Sequence, residues 1–221
     1  MIFSELNASR YEYNISFFNA EFENILSKVI ECYNLMLIDN VKLNNDENEI
    51  RDVLYLNYLN NNSIRNKIGL TDYFFDREIQ EDTTNGRTDI RVISIDSFKD
   101  TSAYYIIECK RIDSINNTGI SGLNAKYIKN GICRFVTEAY SAYYKTNGMI
   151  GFVVESIDIS NNVKSINALL EGGFADANTT RVLGNLPIFE GFDYSYYSTH
   201  RRNDEQILIY HLMLDFAKNI Q

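Results

Sequence analysis

Four apolar residues that run straight into charge constrain this chain most: Tyr104-Tyr105-Ile106-Ile107 is followed by Glu108-Cys109-Lys110-Arg111. The segment reads as a buried strand over 103–112 whose far end carries charge. Side chains alternate faces along a strand, so Ile106, Glu108 and Lys110 share one face and Cys109 lies on the other. A second β-rich segment, 88–95, precedes it across a polar turn over 96–102. Paired as an antiparallel hairpin, the two strands bring Asp89 into reach of Glu108 and Lys110. Two carboxylates and a lysine on one spot can hold a divalent metal with a water beside it. The bland reading of the same residues is a Glu–Lys ion pair at a strand end.

The rest of the chain supplies a frame for that hairpin. A helix over 123–144 carries the stripe Leu123, Tyr127, Ile128, Ile132, Phe135, Val136, Ala139, Tyr140 and Tyr143, and the apolar segment 149–155 reads as a buried strand. Strand, helix and strand in that order form a right-handed crossover, which makes the two strands parallel. Gly131 inside the helix points to another backbone packing close, and Asn147-Gly148 is expected to end it. Upstream, helices are predicted over 14–36, over 46–59 with Asp46 as N-cap, and over 64–70, then a strand over 73–80 and a turn over 81–87. Downstream, a helix over 158–170 and a strand over 186–198 lead to a turn at 199–204 and a strand or helix over 207–216. No repeat or low-complexity linker divides the chain, so 1–221 reads as one α/β domain with a mixed central sheet flanked by helices.

A net charge of −9 on 221 residues argues against a bulk electrostatic footprint for nucleic acid. It leaves room for a local basic groove, because phosphate binding needs clustered charge. Lys126, Lys129 and Arg134 give the 123–144 helix such a basic side, although the polar face of any surface helix looks the same. The cysteines, Cys32, Cys109 and Cys133, lack zinc spacing and read as reduced thiols of a cytoplasmic protein. No basic segment leads into a long apolar run at the N-terminus, and no stretch approaches the roughly 20 apolar residues of a membrane span. The expectation is a protein with no membrane partner. His200 and Arg201 stand in a predicted turn where arginine forks could grip a phosphate, or where the charges are simply solvated. The tyrosines at 140, 143, 144, 194, 196 and 197 could stack on bases, but read better as packing.

The chemistry open to the hairpin follows from its donors. Mg²⁺ or Mn²⁺ takes oxygen ligands, and Asp89, Glu108 and the backbone carbonyl of Cys109 offer them. Lys110 would sit over a metal-bound water, helping to deprotonate it or holding it in line for attack on phosphorus. Glu49 is the candidate for a further ligand from the 46–59 helix. Its bland reading, with Asp52, is an acidic helix N-terminus favoured by the helix dipole.

Asp89 followed by Glu108-Cys109-Lys110 at the end of an apolar strand resembles the PD-(D/E)XK nuclease superfamily. The order helix, three strands, helix, strand over 45–155 is similar to its restriction-endonuclease-like core. The proline that precedes the aspartate in that family is Thr88 here. The resemblance implies a Mg²⁺-dependent phosphodiesterase acting on nucleic acid, DNA ahead of RNA, as in restriction, repair and phage-defence enzymes. Carried over position by position, Asp89 and Glu108 are metal ligands, Lys110 is the catalytic lysine and Glu49 the acid of the first helix. Tyr127 and Arg134 fall where helix residues of such enzymes meet the site or the backbone phosphates, and Lys126 on the basic side of the same helix is a further candidate contact to nucleic acid. A chain of this size without a separate recognition domain is expected to act as a homodimer or with a targeting partner. The second reading is non-enzymatic: a nuclease-like fold kept as a nucleic-acid or protein interaction module.

Overall fold

The computed structural model describes residues 12–80, 87–137 and 143–221. The expected turn residues 81–86, and Ala139 and Tyr140 of the expected helical stripe, lie outside them. Seven strands form one open mixed sheet: β1 (Phe74–Gln80), β2 (Arg87–Ile93), β3 (Tyr104–Ile112), β4 (Thr146–Val153), β5 (Thr179–Asn185), β6 (Ser195–Arg202) and β7 (Glu205–Asp215), in the order β1-β2-β3-β4-β7-β6-β5. The first three make an antiparallel meander, β3–β4 and β4–β7 are parallel, and β7–β6–β5 is antiparallel again. The parallel β3–β4 pair is the crossover expected from the sequence.

Helices cover both faces. On one side α1 (Glu12–Ile38), α2 (Glu47–Leu54) and α3 (Asn62–Ile68) pack over Tyr105, Ile107, Cys109 and Ile150. On the other, α4 (Leu123–Tyr127), a π-helical stretch Ile128–Ile132, α5 (Cys133–Val136) and α6 (Ile159–Gly172) cover Ile106, Ile112, Met149 and Met213. β4 lies between the two layers and all of its residues are buried, as a parallel strand covered on both faces should be.

Several boundaries differ from expectation for local reasons. The helical segment closes at Val136 rather than 144, and β4 begins at Thr146 rather than 149. Asn147 and Gly148 therefore lie inside the strand. Asn147 Oδ1 accepts the Ile106 N–H at 3.1 Å, and a Cβ at Gly148 would stand 3.0 Å from Phe22 Cζ, so the bare glycine lets α1 lie close on the sheet. At Gly131 a Cβ would collide with the Met149 methyl, so the close neighbour is a side chain of β4 rather than a backbone.

The tail shows the largest shift. β6 runs through Arg202, with the turn at Asn203, whose φ of 54° is left-handed. The 207–216 segment is a strand, and β5, the outer edge strand, had no counterpart in the prediction. Among the described residues no helix is long and apolar enough to cross a membrane.

Candidate active site

The meander is regular only part of the way. β1–β2 pairing passes from Arg77–Ile90 to Ile79–Thr88 and skips the step at Glu78 and Asp89. Glu78 has a left-handed φ of 51°, a conformation that costs a non-glycine residue about 1 kcal/mol. β2–β3 pairing ends at Ile90–Ile107. The Asp89 carboxylate enters the gap, and its Oδ2 accepts the Cys109 N–H at 2.8 Å. Oδ1 faces Arg51 of α2 at 3.1 Å, and the same guanidinium reaches Asp52 at 2.9 Å and Glu78 at 3.2 Å. Arg51 is buried, so it acts as a fixed cation that orients Asp89 and ties α2 to the meander.

Glu108 and Lys110 project from the same face of β3. Lys110 Nζ lies 2.7 Å from Glu108 Oε1, 2.6 Å from the Cys109 carbonyl, 3.1 Å from Glu47 Oε1 and 3.5 Å from Asp89 Oδ2. Oxygens from α2, β2 and β3 thus surround one ammonium. Glu108 is fully buried and Lys110 is 8% exposed. Arg134 of α5 adds a second cation at Glu108 Oε1, 2.9 Å away.

The acid that α2 contributes is Glu47, which the sequence reading missed. Glu49 turns the other way: its two oxygens accept from Asn44 Nδ2 at 2.9 and 2.8 Å. An α-helix turns about 100° per residue, so positions two apart face well away from each other. Glu47 Oε2 also accepts the Arg111 N–H at 3.0 Å, which fixes the start of α2 against the end of β3.

Burial, helped by the charge of Asp89, pushes the Glu108 carboxyl up to about 7 against the pull of Lys110 and Arg134. Burial alone would lower Lys110, but the carboxylates of Glu108, Asp89 and Glu47 outweigh it and hold the ammonium charged. The Cys109 thiol lies on the opposite face, and burial raises it well above the ordinary thiol range. That residue therefore offers the site its backbone oxygen and not a nucleophile.

The site opens into a cleft of about 560 Å³. Lys110, Arg111, Lys126, Lys129 and Arg134 line it, opposed by Asp46 and Glu47. A chain of net charge −9 thus gathers cations at one opening, where a cleft focuses their field on an anion.

Compared with family models, curated proteins and solved structures, the chain matches none. The donor set is then the guide to what the cleft holds. Among the described residues no three His, Cys, Asp or Glu side chains form a ready metal cage. The oxygens gather on the Lys110 ammonium instead. Carboxylates and a carbonyl are nevertheless the donors Mg²⁺ or Mn²⁺ takes, and Mg²⁺ commonly uses one or two carboxylates and keeps its remaining waters.

Three of the expected nucleic-acid contacts lie elsewhere. Tyr127 and His200 are completely buried, and Arg201 is exposed on β6 but does not line the cleft. Tyr127 and His200 belong to a buried polar chain whose proton order follows from its last link. His200 Nδ1 lies 2.8 Å from the Ala177 carbonyl, which can only accept, so Nδ1 carries the hydrogen. Nε2 of a neutral His200 then accepts from Ser198 Oγ at 2.7 Å. Ser198 in turn accepts from His211 Nε2 at 2.7 Å, and His211 Nδ1 accepts from the Tyr127 hydroxyl at 2.8 Å. Burial pushes His200 down to about 4 and His211 well below its usual range, as neutral rings in this order require.

Proposed function

We propose that the chain is a metal-dependent nuclease that hydrolyses phosphodiester bonds, DNA ahead of RNA, on a restriction-endonuclease-like core of the PD-(D/E)XK type. The observation that carries this reading is the convergence of the Asp89, Glu108 and Glu47 carboxylates and the Cys109 carbonyl on Lys110, at the floor of a cationic cleft. The element order α2, β1–β2–β3, the 123–136 helical segment and β4 supports the same core.

Asp89, Glu108 and the Cys109 carbonyl would hold the metal, with Glu47 as a further donor or water holder. Bound there, Mg²⁺ would polarise the phosphate and make a coordinated water more acidic. Lys110, kept charged by its carboxylates, would face the negative charge that builds on phosphorus as the bond breaks. Of the two roles open to it, holding water and phosphate suits a cation better than taking a proton. Glu108, pushed up to about 7 in the metal-free site, would have to shed its proton before it could hold the ion. Lys126, Lys129 and Arg111 would hold the flanking phosphates.

The test is a cleavage assay on linear, circular and single-stranded DNA and RNA, with and without Mg²⁺ or Mn²⁺. Glu47→Gln is expected to slow cutting about 10²-fold and Glu49→Gln to leave it unchanged. Equal effects at the two positions would count against the donor set, and no cutting of any substrate would sink the enzyme. Metal and proton compete for Glu108, so cutting at limiting Mg²⁺ should rise about tenfold per pH unit below about 7 and level off above it. A flat profile across that range would remove Glu108 from the metal site.

One observation favours the non-enzymatic alternative of a nuclease-like interaction module. Each of these carboxylates already has a cation of the chain as partner: Lys110 for Glu47, Lys110 and Arg134 for Glu108, and Arg51 and Lys110 for Asp89. Under that reading neither metal shifts the melting temperature, and nucleic acid binds without being cut.

A further inference from the structure

The face of the meander that carries Asp89 and Glu108 has a second opening. Phe74, Ile93 and Tyr104 are register partners across β1, β2 and β3, so they form one apolar row, and Asp76, Arg91 and Ile106 form the next. The β2–β3 connection, with a short 3₁₀ turn Ile95–Phe98, folds over this face. Arg91, Ile93, Ser97, Phe98, Thr101 and Tyr104 enclose a groove of about 250 Å³. Phe98 stands at its rim, 83% exposed.

The groove has the make-up of a base platform rather than of a protein contact. The Arg91 guanidinium lies over the Tyr104 ring, 5.4 Å from its centroid, and is anchored by Asp76 at 2.8 Å. Among the described residues Arg91 Nε has no hydrogen-bond partner. Planar groups that are stacked or exposed, with hydroxyls of Ser97 and Thr101 near, suit a flat aromatic ring with polar edges. A stable protein interface buries about 800 Å² per partner, far more than these six residues present.

Position supplies the rest. Tyr104 and Glu108 point from the same face of β3 four residues apart, roughly 13 Å at about 3.3 Å per residue. A strand with its phosphate in the cationic cleft would cross that distance within a few nucleotides. Cationic tracking of the backbone beside aromatic stacking is how single strands are held.

We propose that this groove takes an unpaired base of the same nucleic-acid strand whose phosphate enters the cleft, so that the protein prefers single-stranded or frayed substrate to intact duplex. The inference rests on the nucleic-acid reading of the cleft. It is tested by fluorescence anisotropy in the absence of divalent metal, using a labelled single-stranded oligonucleotide, its blunt duplex, and the same single strand with abasic positions. The wild type is expected to bind the intact single strand most tightly. Phe98→Ala, at an exposed position that should leave melting unchanged, is expected to weaken that binding about tenfold. It should leave the duplex and the abasic strand unaffected. Lys129→Ala should weaken all three. If Phe98→Ala changes nothing while Lys129→Ala weakens binding, the groove is overturned and the nuclease reading stands. If the wild type binds no oligonucleotide, both fall together. Arg91→Lys, which keeps the charge without the plane, should reproduce the Phe98→Ala pattern.

Discussion

An Asp89→Asn protein is expected to cut nucleic acid about 10³-fold more slowly than the wild type while melting within a few degrees of it. The amide has the shape of the carboxylate, so its oxygen can still accept the Cys109 N–H that Asp89 takes at 2.8 Å. It lacks the charge that a hard cation and Lys110 both use. Arg51 keeps Asp52 and Glu78 as partners, so the substitution leaves no buried cation alone. The separation of rate from stability is the informative part, because an ion pair serving only the fold would show the reverse. Steady-state cleavage in Mg²⁺ beside a thermal melt reads both, and a rate within tenfold of the wild type would remove Asp89 from the chemistry.

The second large effect is an acid limb in stability set by the Tyr127–His211–Ser198–His200 chain. His200 is held near 4 in the fold and titrates at about 6.5 once unfolded. The unfolded state therefore binds the proton first. Stability is fully present above about 6.5 and is lost as pH falls toward 4, by about 3 kcal/mol from His200 alone. His211 contributes with the same sign. Glu108 works in the opposite sense: its folded-state value of about 7 lies above the ordinary one, so its contribution favours the fold at acid pH and is lost as pH rises through 7. His200→Gln separates the two. Gln can still donate to the Ala177 carbonyl, and it takes up no proton, so melting measured from pH 8 down to 4.5 should fall less steeply than in the wild type. An unchanged slope would mean that the imidazole is charged in the folded protein.

The parts of the site written in period-two alternation were legible in the sequence, and the parts decided by rotation and depth were not. Glu108, Lys110 and Asp89 could be placed because an apolar run fixed the strand and a hairpin fixed its neighbour. The choice between Glu47 and Glu49 depends on how α2 is turned against β3, which the Arg111 N–H decides from outside the helix. Arg51 gave no signal, since a lone cation in an acidic helix resembles surface decoration. Tyr127 and His200 have polar ends, and only the packing of the 123–136 segment and β5 onto β6 and β7 shows that those ends meet each other rather than solvent. β5 escaped because an edge strand of Thr179-Thr180-Arg181 and Gly184 buries too little to leave a periodic trace.

The wide turn at Ile128–Ile132 has a consequence for the whole helical segment. A π turn accommodates an extra residue, and each residue of an α-helix advances the side chains by about 100°. That surplus resets the phase of everything after it. Lys126 before the reset, Lys129 within it and Arg134 beyond it all reach the same opening, while Tyr127, Ile128, Ile132 and Phe135 stay in the core. Shortened by that residue, the segment would swing Arg134 away from Glu108 about the helix axis and uncouple two ends of one rod that the fold keeps in step.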